Sequence, residues 1–472
     1  MAAGMAAGSS SVGDGGHRFS SRFGFVLAAV GAAVGLGNVW KFPYLAGENG
    51  GALFVLLYLI FLLAIAMPIL IAEVLIGRRG HVSPPHALKR QASEFTRRSG
   101  TGWYAIGVAG VVFGLVIMSF YSVVSGWIFD YMWTGITQGF GAFDPGRSRA
   151  HLAAMQASVP RLLVLQGLFI VLTVAIVALG VRRGIEAAMR WMMPAMGLLM
   201  IGLVVYALVA GAGSRALVYL FAPDWTRLTV PVAAAALGQA FFTLSVGLGG
   251  MMTYGAYLPD RASIVRSCTT VALADTAVAL LAGLAIFPIV FAEGLDPAGG
   301  PGLIFVTLPI AFADMPGGDV FGVAFFAFLF LAAITSAIAL YEPTVAWLEE
   351  RGIRRLHGTL IAAGGSWLMG LVTVLSFNEW NNVHPLAWAG ERFAGATPFE
   401  TITLGLDNLI LPVGALLIAW FAGRLMPAPA VVGELSADPP WVARLFRLAV
   451  RWWAPLGILA LLVFNFAGMT IG

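Results

Sequence analysis

Charged residues are scarce in this chain. Only 11% of its 472 residues are Asp, Glu, Lys or Arg, whereas 59% are hydrophobic, and the mean hydropathy is +0.88. A soluble domain keeps a charged surface, so this composition excludes one and indicates a protein that crosses a membrane several times. The net charge of +4 is small, and nothing in its distribution suggests a nucleic-acid partner.

The chain also lacks paired cysteines and clustered histidines. Cys268 is the only cysteine, which rules out a disulfide within the chain. The six histidines fall mostly in the N-terminal tail, in loops or at span ends, and none has a metal-ligand spacing such as His-Glu-x-x-His. A membrane enzyme is therefore the least favoured class, and we expect no catalysed chemistry.

Long apolar stretches dominate the rest of the chain. The first 20 residues are rich in Gly, Ala and Ser and predict a flexible cytoplasmic tail, not a cleavable signal. A helix needs about 20 mostly apolar residues to span a bilayer, and about eleven stretches qualify. They are 22–46, 51–76, 103–135, 162–181, 187–211, 230–256, 265–292, 320–348, 359–377, 400–423 and 451–469.

Basic residues lie on alternate connections between these stretches. They occur after the second, fourth and eighth stretches and before the last, whereas the connection from Glu293 to Asp319 carries four acids and no Lys or Arg. By the positive-inside rule, the basic loops and the N-terminus face the cytoplasm. We therefore expect a multi-pass protein of a bacterial-type cytoplasmic membrane.

Two apolar stretches are interrupted by glycine in the same way. The interruptions are Val34-Gly35-Leu36-Gly37-Asn38 and Val246-Gly247-Leu248-Gly249-Gly250. Glycine inside a helix costs about 1 kcal/mol relative to alanine, and an opened backbone in a membrane is tolerated where it lines a cavity. Paired interruptions in two halves of a chain are typical of a transporter whose substrate binds near the bilayer midplane.

Ionisable residues also lie in or near the apolar stretches: Lys41, Glu48, Glu73, Asp275 and Glu342. Each is costly at that depth, by at least about 2.5–3.5 kcal/mol at a bilayer centre. For Glu73 and Glu342, a structural role is about as favoured as a functional one: each carboxylate could bind opened backbone or a helix end. Asp275 has no cation near it in sequence, so we expect it to face a bound cation.

Several longer motifs are recognisable in order along the chain. They are Phe19-Ser20-Ser21-Arg22, Gly31-Ala32-Ala33-Val34-Gly35-Leu36-Gly37-Asn38-Val39-Trp40-Lys41-Phe42-Pro43-Tyr44, Glu48-Asn49-Gly50-Gly51, Gly184-Ile185-Glu186, Gly238-Gln239-Ala240-Phe241-Phe242-Thr243-Leu244-Ser245 and Gly302-Leu303-Ile304-Phe305-Val306-Thr307-Leu308-Pro309. Together they resemble the neurotransmitter:sodium symporter family, particularly its bacterial amino-acid transporters.

The resemblance implies an all-α polytopic membrane protein with the leucine-transporter fold. Spans one to five (21–211) and six to ten (230–425) would form an inverted repeat, with spans one and six unwound. A cytoplasmic loop and an eleventh span (426–472) would follow. The oligomeric state stays open.

The resemblance also implies two sodium sites. The first would use Ala33, Asn38, Thr243 and Asp275, together with the substrate's carboxylate. The second would use the carbonyls of Gly31, Val34 and Ala332 and the hydroxyls of Thr335 and Ser336. Hard cations prefer several oxygen ligands, which unwound carbonyls and short polar side chains supply.

The resemblance assigns a substrate pocket that is apolar at its side-chain end. Its residues would be Ala33, Gly35, Leu36, Gly37, Ile117, Tyr121, Phe242, Thr243, Ser245, Leu248, Ser336 and Leu340. Family members that carry amines without a carboxylate have an acidic residue at the position of Gly35, so glycine favours a zwitterionic amino acid. The gate would comprise Lys41, Tyr121, Phe242 and Glu400, with lysine in place of the usual arginine.

These observations predict a sodium-coupled importer of hydrophobic or aromatic L-amino acids that works by alternating access. Chloride is not expected, because chloride-dependent members have asparagine where Asp275 stands and serine where Ala279 stands. Two alternatives remain: a proton-coupled or sodium-independent carrier on the same fold, and a substrate sensor or channel that does not concentrate its ligand.

Overall fold

The computed structural model describes residues 19–298, 300 and 302–470, so nearly all of the predicted tail lies outside the described residues. Within the described residues the chain is helical and contains no strand. Nine helices there are long and apolar enough to cross a bilayer by themselves. They are Ala52–Gly80, Thr101–Gln138, Val159–Val177, Val181–Ala210, Ile264–Ala292, Gly318–Glu349, Arg355–Ser376, Pro398–Leu425 and Pro440–Phe466.

Two further predicted spans are interrupted. The first is a pair of helices, Arg22–Ala33 and Gly37–Glu48, which meet at an angle of 49°. The sixth consists of the shorter helices Val230–Thr243 and Gly250–Ala256, separated by residues 244–249. We number the nine continuous helices and these two pairs in chain order as spans 1 to 11.

Two spans begin earlier than the sequence predicts. Span 5 begins at Val181 and span 11 at Pro440, whereas the apolar stretches begin at 187 and 451. Both added segments carry arginines, so a search for continuous apolar residues overlooks them. The helix Pro440–Leu448 is amphipathic and continues directly into span 11.

Shorter helices connect the spans. They are Pro84–Thr96, Pro145–Ala157, Gly213–Phe221, Trp225–Arg227, Leu303–Asp314, Glu391–Ala394 and Ala428–Glu434.

Prolines set the positions of several wide, π-helical turns. Such turns lie at Leu62–Ala66, Leu303–Thr307 and Leu406–Ile410, and each is followed two residues later by a proline. Because proline has no N–H, the carbonyl four residues before it loses its helical partner. At these three turns a side chain from another helix replaces that partner: Trp453 Nε1 donates to Ala64 O at 3.0 Å, Tyr131 Oη to Phe305 O at 2.7 Å, and Asn465 Nδ2 to Asn408 O at 3.1 Å.

Backbone-to-backbone packing holds the second half of span 6 against span 2. A Cβ at Gly77 would lie 1.9 Å from the Met252 carbonyl oxygen, and a Cβ at Gly255 would lie 2.4 Å from that of Val74. Any side chain at either glycine would therefore push the two elements apart. Spans 1 and 6 are surrounded by spans 2, 3, 7 and 8, which places both interruptions in the interior.

Candidate functional site

The two interrupted spans are joined to each other at their breaks. Gln239 Nε2, in the first half of span 6, donates to the Gly37 carbonyl in span 1 at 2.9 Å. Asn38 Nδ2 donates to Thr243 Oγ1 at 3.1 Å. The ends of the four half-helices of spans 1 and 6 therefore meet around one buried region.

Glu73 holds the break in span 6 open. Its fully buried carboxylate accepts hydrogen bonds from the backbone N–H groups of Gly247 at 2.7 Å, Met251 at 3.2 Å and Gly249 at 3.4 Å. Gly247 and Gly249 adopt φ angles of +100° and +80°, which side chains disfavour. A carboxylate at a helix N-terminus suits both the free N–H groups and the helix dipole. Glu73 therefore has the structural role of binding opened backbone.

Asp275 lies together with Asn38 and Thr243, two of the other residues named for the first sodium site. Its Oδ1 accepts from Asn38 Nδ2 at 2.8 Å, and its Oδ2 accepts from Thr243 Oγ1 at 2.8 Å. All three side chains are at most 1% exposed. The Asn38 Oδ1 atom accepts from Gly35 N–H at 3.0 Å and keeps a second lone pair. With Asp275 ionised, the cluster would offer oxygen ligands and one negative charge to a monovalent hard cation.

The residues named for a second sodium site also lie together. Thr335 Oγ1 donates to the Ala332 carbonyl at 2.9 Å and lies 3.4 Å from the Val34 carbonyl. Ser336 Oγ donates to Val34 O at 3.0 Å and lies 3.4 Å from Gly31 O. The five oxygens that the resemblance implies therefore converge where span 8 passes the end of helix Arg22–Ala33.

A cavity of about 80 Å³ lies beside these two clusters. Every predicted substrate residue except Thr243 lines it: Ala33, Gly35, Leu36, Gly37, Ile117, Tyr121, Phe242, Ser245, Leu248, Ser336 and Leu340. A Cβ at Gly35 would lie 2.3 Å from Ser336 Oγ and 3.1 Å from Tyr121 Oη. A side chain at Gly35 would have to displace Ser336 and Tyr121, whereas glycine leaves the backbone open to the cavity.

Other lining residues were not anticipated. They are Ala32, Gly110, Val111, Gly114, Gly250, Met251, Tyr254, Ala339, Pro343 and Leu411. Gly110 and Gly114 precede Ile117 and Tyr121 by three to eleven residues on span 3, and this helical spacing identifies one face. That spacing is visible in the sequence, whereas Pro343 and Leu411 reach the cavity through tertiary packing.

Lys41 does not contact Glu400, the span-10 residue that the predicted gate included. Lys41 Nζ lies 2.5 Å from Asp407 Oδ2 and 3.8 Å from the centroid of the Phe242 ring. Glu400 lines the neighbouring cavity, but its Oε2 accepts from the backbone N–H of Thr397 at 2.8 Å and caps its own helix. Asp407 lies seven residues, about two helical turns, further along span 10.

The Lys41–Asp407 pair stands beside a larger cavity of about 450 Å³. The two cavities share five lining residues, which form the partition between them: Leu36, Ile117, Tyr121, Phe242 and Leu411. Phe242 lies under the ammonium group of Lys41, so the aromatic lid and the ion pair contact each other.

Glu342 has a structural partner as well. Its Oε2 lies 2.6 Å from Arg355 NH2, and its Oε1 accepts from Tyr257 Oη at 2.8 Å. This buried ion pair joins spans 8 and 9 and the end of span 6. Glu342 follows Ser336 on span 8 as Lys41 follows Gly35 on span 1, and these two spans run in opposite directions, so the two ion pairs lie on opposite sides of the cavity.

Comparisons with known proteins agree with this architecture. The sequence model of the sodium:neurotransmitter symporter family matches residues 16–142 and 155–377. An uncharacterized sodium-dependent transporter of Bacillus subtilis is 37% identical over 431 residues, covering 89% of this chain and 90% of that protein. One of Methanocaldococcus jannaschii is 34% identical over 419 residues, covering 84% and 80%.

A solved structure is similar over most of its length. The crystal structure of MhsT in complex with L-phenylalanine superposes with a TM-score of 0.86 at 37% identity, covering 95% of this chain and 99% of MhsT. The chain is thus a multi-pass membrane transporter with the leucine-transporter fold. It belongs to the sodium:neurotransmitter symporter family, as the motifs predict.

Proposed function

We propose that this transporter is a symporter that imports hydrophobic or aromatic L-amino acids together with sodium. One observation carries the proposal: an apolar cavity meets exposed backbone and buried oxygen clusters at the paired helix breaks. Leu36, Ile117, Leu248 and Leu340 would leave a polar substrate side chain unpaired, at a cost of about 1–3 kcal/mol. The solved relative MhsT was crystallised with L-phenylalanine, which supports the same class.

The open backbone at Gly35 supports a substrate with a carboxylate. A carboxylate bound there would lie between the Tyr121 hydroxyl and the oxygens around Asn38. Tyr121 Oη already lies 3.5 Å from the Leu36 N–H, so both groups face the same end of the cavity. Sodium in the first site would then bind protein and substrate together, which couples the two affinities.

Two sodium ions would supply enough free energy for strong accumulation. At a membrane potential of 100 mV and a tenfold gradient, each ion contributes about 2.3 kcal/mol from the field and about 1.4 kcal/mol from concentration. Two ions therefore contribute about 7 kcal/mol. Alternating access would expose the buried cavity first through the larger cavity beside Asp407 and then past the Glu342–Arg355 pair.

Uptake by proteoliposomes tests the proposal. With an inward sodium gradient we expect concentrative uptake of Leu, Ile, Phe, Trp, Tyr or Met, and little uptake of Glu, Lys or a monoamine. The matched control replaces sodium by potassium or choline at constant ionic strength. Uptake driven equally well by a proton gradient would favour the sodium-independent carrier, and binding without accumulation would favour a sensor or channel.

A further inference from the structure

Four arginines surround the connection between spans 10 and 11: Arg424, Arg444, Arg447 and Arg451. The last three follow a spacing of three and four residues, so they lie along one side of the same helix. Arg424, at the end of span 10, reaches the same place, because its guanidinium carbon lies 5.0 Å from the Trp452 ring centroid. We call these four residues the arginine patch.

The arginine patch has no acidic partner. Among residues 19–298, 300 and 302–470, no ion pair joins any of the four arginines to a carboxylate. Glu434 and Asp438 lie on the connection itself, but Glu434 pairs with Arg78 at 2.9 Å and Asp438 accepts from Ser263. The acidic residues nearest in sequence therefore bind other partners. The positive charge of the patch is left for an anion to balance.

Tryptophan rings hold two of the guanidinium groups. Arg424 lies over both Trp420, at 5.3 Å, and Trp452, and Arg451 lies over Trp452 at 5.8 Å. Both rings are 50% exposed. Stacking on a ring leaves the guanidinium N–H groups free to bind a phosphate in a forked geometry, and tryptophan favours the headgroup level of a bilayer.

An exposed apolar face adjoins the arginine patch. On helix Pro440–Leu448, Ala443 and Phe446 pack against the protein, whereas Trp441, Leu445 and Leu448 are exposed. Because this helix continues into span 11, its exposed apolar side chains lie where the span leaves the bilayer, beside the arginines. The face would then be covered by acyl chains, and the flanking guanidinium groups would stand at the depth of the phosphates.

We infer that the arginine patch binds the headgroup of an acidic phospholipid, with the face of Trp441, Leu445 and Leu448 set among its acyl chains. Charge complementarity selects this lipid class. A phosphodiester without an ammonium group balances the unpaired arginines, whereas a zwitterionic headgroup brings a positive charge of its own. This site is separate from the transport pathway, and it does not depend on which substrate the transporter carries.

Native mass spectrometry of the purified, delipidated full-length protein tests the site. Titration with phosphatidylglycerol should give tighter binding than titration with phosphatidylcholine. Because each arginine near an anionic lipid contributes about fivefold, Arg424→Gln with Arg451→Gln should weaken phosphatidylglycerol binding by about tenfold or more. The matched control, Arg90→Gln with Arg98→Gln, removes the same charge from another basic loop and should leave this binding unchanged.

Three results would overturn the inference: equal binding of both lipids by the wild type, unchanged binding by the Arg424/Arg451 variant, or an equal loss in the control. A second experiment addresses the apolar face. Cys268→Ala with Leu445→Cys, labelled with a fluorophore in vesicles, should be quenched by lipids that carry a nitroxide near the headgroup. Efficient cross-linking of two copies through the introduced cysteine would instead make this face an interface between protomers and contradict the proposal.

Discussion

At the scale of single residues, the candidate site depends on positions where a side chain is small or absent. Gly35 keeps its backbone open because Ser336 and Tyr121 occupy the space a Cβ would need. Gly114 is different. The nearest atom to a Cβ at Gly114 is the Leu340 carbonyl oxygen at 3.6 Å, an ordinary contact. A methyl group is therefore accommodated there without moving the helices.

Gly114→Ala should reduce the size of the substrate that fits. The added methyl group projects into the cavity that holds the substrate side chain, so we expect Trp and Phe uptake to fall by about 10-fold relative to Leu uptake, as a misfit of about 1.4 kcal/mol predicts. Competition between labelled leucine and unlabelled tryptophan measures the ratio. The control is Gly102→Ala, since Gly102 is also on span 3 with nothing within 4 Å of a Cβ and lies outside the cavity. An unchanged Trp-to-Leu ratio would contradict the placement of the substrate side chain.

Asp275 and Ala279 carry the prediction about chloride. An ionised Asp275 beside the proposed first sodium site would supply the negative charge that chloride supplies in the chloride-dependent members of the family. Replacing chloride by gluconate at constant sodium should therefore leave uptake unchanged. Asp275→Asn with Ala279→Ser should make uptake at least partly dependent on chloride. Loss of wild-type uptake in gluconate would show that the carboxylate does not replace the anion.

At the scale of helices, the fold depends on side chains that replace hydrogen bonds lost at prolines. Ala64, Phe305 and Asn408 each precede a proline by four residues, and each carbonyl is bound by a side chain from a different helix. The bond to the Phe305 carbonyl is the buried one of the three, so water cannot replace it there.

Tyr131→Phe tests this account at the buried Phe305 carbonyl. The substitution keeps the ring and removes only the hydroxyl, so the carbonyl is left without a partner at a cost of about 1–3 kcal/mol. We expect a lower thermal unfolding temperature in detergent and a smaller population of folded protein. Tyr104→Phe, whose hydroxyl is near the protein surface and contacts Arg351, is the control and should change the unfolding temperature much less. Equal stability of the two variants would refute the argument.

At the scale of the whole molecule, two ion pairs lie on opposite sides of the central cavity. Lys41 and Asp407 join spans 1 and 10 beside the larger cavity, whereas Glu342 and Arg355 join spans 8 and 9 on the other side. A transporter that exposes its site to one side at a time needs closure on each side to be reversible. The Lys41–Asp407 pair meets that need, because it is partly exposed and such a pair contributes only about 1 kcal/mol or less.

Asp407→Asn should weaken closure on the side of the larger cavity. Loss of up to about 1 kcal/mol predicts that a bound amino acid leaves the sodium-loaded protein up to about fivefold faster. Exchange of labelled substrate from purified transporter measures this rate. Glu400→Gln is the matched control, since the Glu400 carboxylate caps its own helix and does not contact Lys41. Faster release from the Glu400 variant alone would show that Glu400, and not Asp407, takes part in closing this side.

The sequence by itself was sufficient for the class of protein, for most of the spans and for the two breaks. These features follow from composition, helical spacing and contiguous motifs, which are local. The candidate pocket residues came from the resemblance to a known family, and eleven of them line the cavity. The partners of the buried charges were decided only by the tertiary structure. Asp407 rather than Glu400 meets Lys41, and Glu73 binds the N–H groups of Gly247 and Met251. Such pairs depend on how far each helix is rotated and shifted against its neighbour, and a shift of two turns changes the partner without changing the pattern of either helix.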